Sequence, residues 1–207
     1  MKQRTLEIIL QDIPAPTQPD PTREQYLTPA PIAADLLYIA LQYGDIANKT
    51  VLDLGCGTGI FAVGAALLGA RHVTGIDSDP RLIDQATAYA VTKHLDIDYH
   101  VSDIDAVTTK ADTVLMNPPF GAQKANRRAD RRFLEKGFEA AAVIYSLHLT
   151  KTIPFLRKMI AARNGEISLE KEYTFPIPAQ FSFHTKITAT YKVTLLRITT
   201  SPSKPRT

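Results

Sequence analysis

Thr50-Val51-Leu52-Asp53-Leu54-Gly55-Cys56-Gly57-Thr58-Gly59 constrains the fold of this chain more than any other stretch. A short apolar run ends in three closely spaced glycines, and a nearly apolar run follows from Gly59 to Ala70. Glycine admits positive φ and leaves no Cβ in the way, so the chain can pass from strand to helix in a tight turn here. The same change of period recurs downstream. Strands are predicted at 50–54, 72–77, 97–102, 111–116 and 142–147, with helices near 58–69, 80–94, 129–141 and 150–163. Such alternation predicts an α/β fold with a parallel, doubly wound sheet. The end differs: Glu166 to Tyr173 and Thr185 to Thr199 alternate polar and apolar residues, as an antiparallel pair would. A long aromatic loop, Phe175 to His184, is predicted between them.

Upstream, Leu6, Ile9, Leu10 and Ile13 recur at helical spacing, which predicts a helix over 3–12. Pro14 to Pro21 holds four prolines in eight residues and reads as an extended connector. A second helix is predicted from Thr28-Pro29, where threonine can cap the free N–H groups and proline is tolerated at the first helical position. The tail Ser201 to Thr207 is polar, basic and expected to be disordered.

With 44% hydrophobic and 22% charged residues, the 207-residue chain has the composition of one soluble globular domain. Gly59 to Ala70 is too short to span a bilayer, so no membrane partner is expected. Met1-Lys2-Gln3-Arg4 leads into no apolar run of signal-peptide type, which predicts a cytoplasmic protein. A single cysteine, Cys56, rules out an internal disulfide and a multi-cysteine zinc site, and no metal is expected. Charge is uneven. Residues 1–100 hold 7 Lys/Arg against 12 Asp/Glu, while residues 101–207 hold 17 against 9. A basic half on a chain of modest net charge points to an anionic partner, nucleic acid first.

The glycines are spaced Gly-x-Gly-x-Gly, with Asp53 two residues ahead of the first. Dinucleotide sites favour Gly-x-Gly-x-x-Gly around a diphosphate. Here no diphosphate need be accommodated, and a carboxylate such as Asp53 can meet an amino-acid ammonium group directly or through water. That is the pattern of S-adenosylmethionine sites. Asp77 ends the second strand, 18 residues past Gly59. A carboxylate there can accept both ribose hydroxyls, each hydrogen bond worth about 1.5–3 kcal/mol. Asp79, before Pro80, is the better cap for the following helix. Asp103 is placed to meet an adenine amino group, with Ile104 beside the ring. All these groups fall at carboxyl ends of strands, where open α/β sheets bind ligands.

Asn117-Pro118-Pro119-Phe120 ends the fourth strand, beside the first. Two prolines stop the sheet ladder in a stiff turn with an amide at one end and a ring at the other. Exocyclic amines of nucleobases are poor nucleophiles because the lone pair is delocalised into the ring. The Asn117 side-chain oxygen and the Pro118 carbonyl can accept both N–H bonds and turn that lone pair toward a methyl donor. Positioning of this kind supplies up to about 7–11 kcal/mol in the best oriented systems. Phe120 is expected to stack on the base, for roughly 1–3 kcal/mol. A base within a duplex would have to be flipped out. Directly afterward, Lys124 to Arg132 holds five cations in nine residues, which reads as a phosphate-contacting flap built on Lys124, Arg127 and Arg128. Arg131 and Arg132 are expected to be merely solvated.

Together these residues resemble the archaeal and eukaryotic adenine-N6 methyltransferases of small-subunit ribosomal RNA, the methyltransferase-like protein five group. The similarity covers nearly the whole chain. It includes Glu24-Gln25-Tyr26-x-Thr28, the glycine loop, Ala65-x-x-Leu68-Gly69-Ala70, Asp77-x-Asp79 and Met116 to Gly121. Asp130-x-x-Phe133-Leu134, Tyr145-Ser146-Leu147-His148, Pro178-Ala179 and Phe183-His184-x-Lys186 complete it. The resemblance implies a Rossmann-like class I methyltransferase fold, with a mostly parallel seven-stranded sheet, an antiparallel C-terminal strand and helices on both faces. Residues 1–49 would supply N-terminal helices and a cofactor-closing segment, 50–199 the catalytic core and 200–207 a tail. It implies S-adenosylmethionine as cofactor, closed over by Gln25 and Thr28 and met by Gly55, Gly57, Thr58, Gly59, Ile60, Asp77, Asp103 and Ile104. Asn117, Pro118, Pro119 and Phe120 become the catalytic element, and Phe183, His184 and Lys186 join the flap on the RNA side. Two features depart from the family pattern: the extra residues Phe175-Pro176-Ile177 before Pro178, and the charge pattern of 124–132. Eukaryotic relatives use a small zinc-binding activator that adds a strand to the sheet.

Two rival readings keep part of this picture. The same chemistry could serve guanine N2 in RNA or a protein glutamine amide, although glutamine-modifying enzymes usually carry Tyr where Phe120 stands. A non-catalytic RNA-binding subunit would be expected to have lost part of the glycine loop or of Asn-Pro-Pro-Phe, and both are intact.

Overall fold

The computed structural model describes residues 1–20, 24–120, 129–178 and 188–200. Seven strands form one sheet: β1 (Thr50–Leu54), β2 (His72–Asp77), β3 (Asp98–Val101), β4 (Thr113–Met116), β5 (Val143–Leu149), β6 (Gly165–Pro178) and β7 (Thr188–Thr200). Their order is β3-β2-β1-β4-β5-β7-β6. The first five pair in parallel, and β7 lies antiparallel to both neighbours. This is the Rossmann-like methyltransferase architecture expected from the sequence. Strand order reverses between β1 and β4, so the glycine loop after β1 and the turn after β4 leave the same edge side by side.

Helices cover both faces. On one, α1 (Gln3–Gln11), α2 (Ala30–Gln42), α3 (Ile60–Leu67) and α4 (Pro80–Thr92) pack around Leu6, Leu37, Phe61 and Tyr89. On the other, α5 (Ala129–Ala140) and α6 (Ile153–Ala161) cover a second cluster through Leu134, Leu156 and Ile160. Strand side chains alternate between the two: Val51 and Leu115 face the first, Leu52 and Val114 the second. That parity turns Asp53, two residues from Val51, toward α3. None of the helices among the described residues is long and apolar enough to cross a membrane.

Three local expectations change. The predicted helix at 58 begins at Ile60, because Gly57 and Gly59 stand at φ +56° and +90°, outside the helical region. The predicted 150–163 helix opens as a short 3-10 turn, Thr150–Thr152, before α6. The largest change is in β6, which continues through Phe175, Pro176 and Ile177 to Pro178, where a loop was expected. Among the described residues it is the last strand of the sheet and pairs only with β7, so its open side needs no N–H from Pro176 or Pro178.

Candidate active site

At the carboxyl edge of β1, β2 and β4 lies a cleft of about 360 Å³. Gly55, Gly57 and Thr58 form its floor with Ile60 from α3, while Asp77 ends β2 at its side. Asp103 and Ile104 close one end, Asn117 and Pro119 the other, and Gln25 and Thr28 cover it from the N-terminal segment. Eleven of the residues read from the sequence as cofactor or catalytic groups therefore meet in one place, though they span positions 25 to 119.

Asp77 is the organising carboxylate. Its Oδ2 accepts the Gly57 N–H at 3.0 Å and its Oδ1 the Asp79 N–H at 2.9 Å, tying the glycine loop to the end of β2. Burial pushes its carboxyl above the usual range, against these two donors. Asp79 caps α4 through the Arg81 N–H at 3.0 Å, as expected. The Arg81 guanidinium, with help from Gln25, holds Asp79 well below the usual carboxylate range. Gln25 donates to Asp79 Oδ2 at 2.9 Å and accepts the Asp20 N–H at 2.8 Å, fastening the N-terminal segment over the cleft.

Asp53 and Gly59 stand one layer back and do not line the cleft. Asp53 Oδ2 accepts the Ala62 N–H at 2.9 Å in the first turn of α3, and its Oδ1 is buried with no partner among the described residues. Burial raises the Asp53 carboxyl to about 8, with the Asp77 charge adding and the Ala62 bond opposing. A buried oxygen of this kind suits a nearby cation. Gly59 has a packing role in this structure: a Cβ there would run into the Tyr99 hydroxyl.

At the other end, Asn117 Nδ2 donates to Thr28 Oγ1 at 3.0 Å, and Asn117 Oδ1 is buried with no partner among the described residues. The threonine is therefore not the side-chain cap of α2: Pro29 holds the cap position without a side-chain bond. Pro118 is buried beneath the turn and does not line the cleft. Phe120 departs furthest from expectation. Only 6% exposed, it packs at 5.5 Å from both Tyr26 and Phe175, and no ring face is open to the cleft.

The sequence reading also missed residues. Arg132 is not merely solvated. It reaches from α5 to Asp103 Oδ1 at 3.0 Å and Asp105 Oδ2 at 2.7 Å, lining the cleft where Asp103 does. Arg131, by contrast, pairs with Glu135 on its own helix at 3.0 Å. Phe133 lines the cleft as well, and a Cβ on Gly55 would approach its ring to 2.9 Å. The sequence signal for Phe133 was its place in the Asp130-x-x-Phe133-Leu134 pattern; Arg132 gave none. Lys124, Arg127, Arg128, Phe183, His184 and Lys186 lie outside the described residues. No cluster able to hold a metal ion occurs among the described residues.

Comparison with known proteins agrees with this geometry. The family model for the methyltransferase small domain matches residues 31–142. The rRNA N(6)-adenosine-methyltransferase METTL5 of Danio rerio is 35% identical over 96% of this chain and 99% of its own. An uncharacterized protein of Methanocaldococcus jannaschii, MJ0284, is 36% identical over 96% of this chain and 94% of its own. Among solved structures, PH1948 from Pyrococcus horikoshii superimposes with a TM-score of 0.90 at 33% identity, covering 97% of this chain and 98% of its own. The chain belongs to the methyltransferase small domain family.

Proposed function

We propose that this protein transfers a methyl group from S-adenosylmethionine to the exocyclic N6 amine of an adenine in small-subunit ribosomal RNA. One observation carries the reading: Asn117 Oδ1 is a buried acceptor without a partner among the described residues, on an amide whose nitrogen is already held by Thr28. An unpaired buried oxygen costs roughly 1–3 kcal/mol, and an incoming N–H repays that cost. Adenine N6 supplies two N–H groups. Asn117 Oδ1 takes one, the Pro118 carbonyl takes the other, and the nitrogen lone pair is left pointing away from both.

The cleft suits the cofactor. In this reading Asp77 accepts the ribose hydroxyls and Asp103 and Ile104 meet the adenine, which is supported by their lining one cleft, while the buried Asp53 Oδ1 behind the glycine loop favours a cation. S-adenosylmethionine supplies an electrophilic methyl group when bound. The residues of the chain hold, orient and exclude water, and no dedicated general base is required because the product nitrogen can lose its proton afterward.

RNA as acceptor is supported by the basic second half of the chain, by the flap of Lys124, Arg127 and Arg128, and by the named activity of the Danio rerio relative. Such a substrate fits a cytoplasmic protein. A small zinc-binding activator would need an open strand edge, and β3 offers a short exposed one at the end of the sheet.

The test is to incubate the protein with labelled S-adenosylmethionine and unmodified small-subunit RNA, digest the RNA and identify the methylated nucleoside. N6-methyladenosine is expected. Label on guanosine, label on protein alone, or no transfer would overturn the reading.

A further inference from the structure

Three aromatic rings from distant parts of the chain meet beside the catalytic turn. Tyr26 lies 5.5 Å from Phe120 and 5.7 Å from Phe175, and Phe120 lies 5.5 Å from Phe175. The Phe175 contacts are edge-on, at 71° and 83°, and the Tyr26–Phe120 pair is tilted at 39°. These are the separations at which aromatic pairs attract beyond their buried area.

The sheet register explains how Phe175 comes to be there. Leu149, the last residue of β5, pairs with Val193, which pairs with Tyr173 on β6. Phe175 is two residues further on, so it stands roughly 7 Å beyond the end of β5, above the edge from which the catalytic turn emerges. Its side chain is fully buried. The long β6, which carries Pro176 on its open side, is what brings a ring to that height.

Pro118 and Pro119 stiffen the backbone of the turn but do not set the direction of the ring that follows them. Tyr26 and Phe175 do. Tyr26 is itself held between Gln25, bonded to Asp79, and Thr28, bonded to Asn117. We propose that Phe175 is a positioning residue for methyl transfer: with Tyr26 it fixes the buried ring of Phe120, and through Phe120 the placement of the turn that carries the Asn117 amide. This rests on the function proposed above. Tyr26 lines the cofactor cleft whereas Phe120 and Phe175 do not, so loss of the Phe175 ring should spare cofactor binding.

The experiment uses Phe175→Leu, which keeps an apolar side chain and removes the ring, with Phe175→Met as a second replacement. Four quantities are compared with the unsubstituted protein: turnover on small-subunit RNA, S-adenosylmethionine affinity by calorimetry, thermal unfolding, and the fluorine resonance of 4-fluorophenylalanine incorporated at position 120. We expect kcat to fall by about 10- to 100-fold, as for a displacement near 1 Å at a reacting centre. Cofactor affinity and cooperative unfolding should persist, while the fluorine resonance shifts. Unchanged kcat in both variants overturns the proposal. So does a loss of kcat that comes only with lost cofactor affinity or lost cooperative unfolding, since Phe175 is then merely structural. Absence of RNA methylation by the unsubstituted protein would instead remove the functional reading, and an unmoved fluorine resonance would remove the ring-cluster proposal alone.

Discussion

The Asn117 side-chain amide donates to the Thr28 hydroxyl across 3.0 Å, joining the catalytic turn to the segment that covers the cofactor cleft. The two residues are 89 positions apart, and Thr28 is 4% exposed. In this arrangement the amide nitrogen is taken by Thr28, and its oxygen is buried with no partner among the described residues.

Thr28→Val removes that anchor without changing shape. It leaves Asn117 Nδ2 unpaired in a buried place, at a cost of roughly 1–3 kcal/mol, and frees the amide to rotate. We expect kcat to fall about ten-fold, which corresponds to about 1.4 kcal/mol in the transition state. Thr28→Ser, which keeps the hydroxyl, should restore most of it. Asn117→Ala should abolish transfer while cofactor binding persists. Steady-state kinetics and calorimetry on the three variants decide the matter, and normal turnover by Asn117→Ala would sink the mechanism.

Arg132 sets the second prediction. Its contacts to Asp103 and Asp105 lie at the Asp103 end of the cleft, but its side chain is 46% exposed, so the pair is screened and worth about 1 kcal/mol or less. Arg132→Ala should weaken S-adenosylmethionine binding by about two- to five-fold, less so at high salt. Combined with Asp103→Ala the losses should fall short of additive, because the Arg132–Asp103 contact is common to both changes. Additive losses in a calorimetric double-mutant cycle would show that Arg132 acts elsewhere.

The parts of this protein that were legible in the sequence are those with a local cause. Strand β1, its glycine turn and α3 follow from a change of hydrophobic period and from positive φ at Gly55, Gly57 and Gly59. Asp79 as a cap needs only Pro80 beside it. What stayed hidden depends on partners far along the chain. Threonine before Pro29 reads as a helix cap until Asn117 takes its hydroxyl. Phe120 reads as an open stacking face until Tyr26 and Phe175 close around it. Pro176 and Pro178 read as loop because nothing in the sequence says that β6 is the last strand of the sheet. Arg132 meets Asp103 across 29 positions, a distance at which charge alone carries no pairing information.

The cations Lys124, Arg127 and Arg128 yield a prediction of their own. Each phosphate neutralised by a cation contributes about 0.7–0.9 to the slope of log affinity against log salt. Replacing Lys124, Arg127 and Arg128 together by Ala should therefore lower the slope for RNA binding by about 2–3 and weaken binding without regard to sequence. Cofactor affinity should not change. A salt titration of RNA binding giving the original slope would mean that these side chains are only solvated.

Asp53 provides a pH prediction whose sign can be worked out. Burial raises its carboxyl to about 8 in the folded protein, against about 3.9 when exposed. Between those values the folded state holds a proton that the unfolded chain has released, so the cofactor-free protein loses stability as pH rises from about 4 toward 8. Asp77, also raised by burial, acts in the same direction. Asp53→Asn keeps an oxygen for the Ala62 N–H and removes the titration, so its stability should vary less across that window in denaturant unfolding. Cofactor binding should run the other way. A cation near the orphaned Oδ1 favours the ionised carboxylate, so affinity should climb with pH between about 5.5 and 7.5, approaching ten-fold per unit, with a proton released on binding. Calorimetry in buffers of different ionisation enthalpy counts that proton. Equal enthalpies in all buffers, or the same pH dependence in Asp53→Asn, would place the cation away from Asp53.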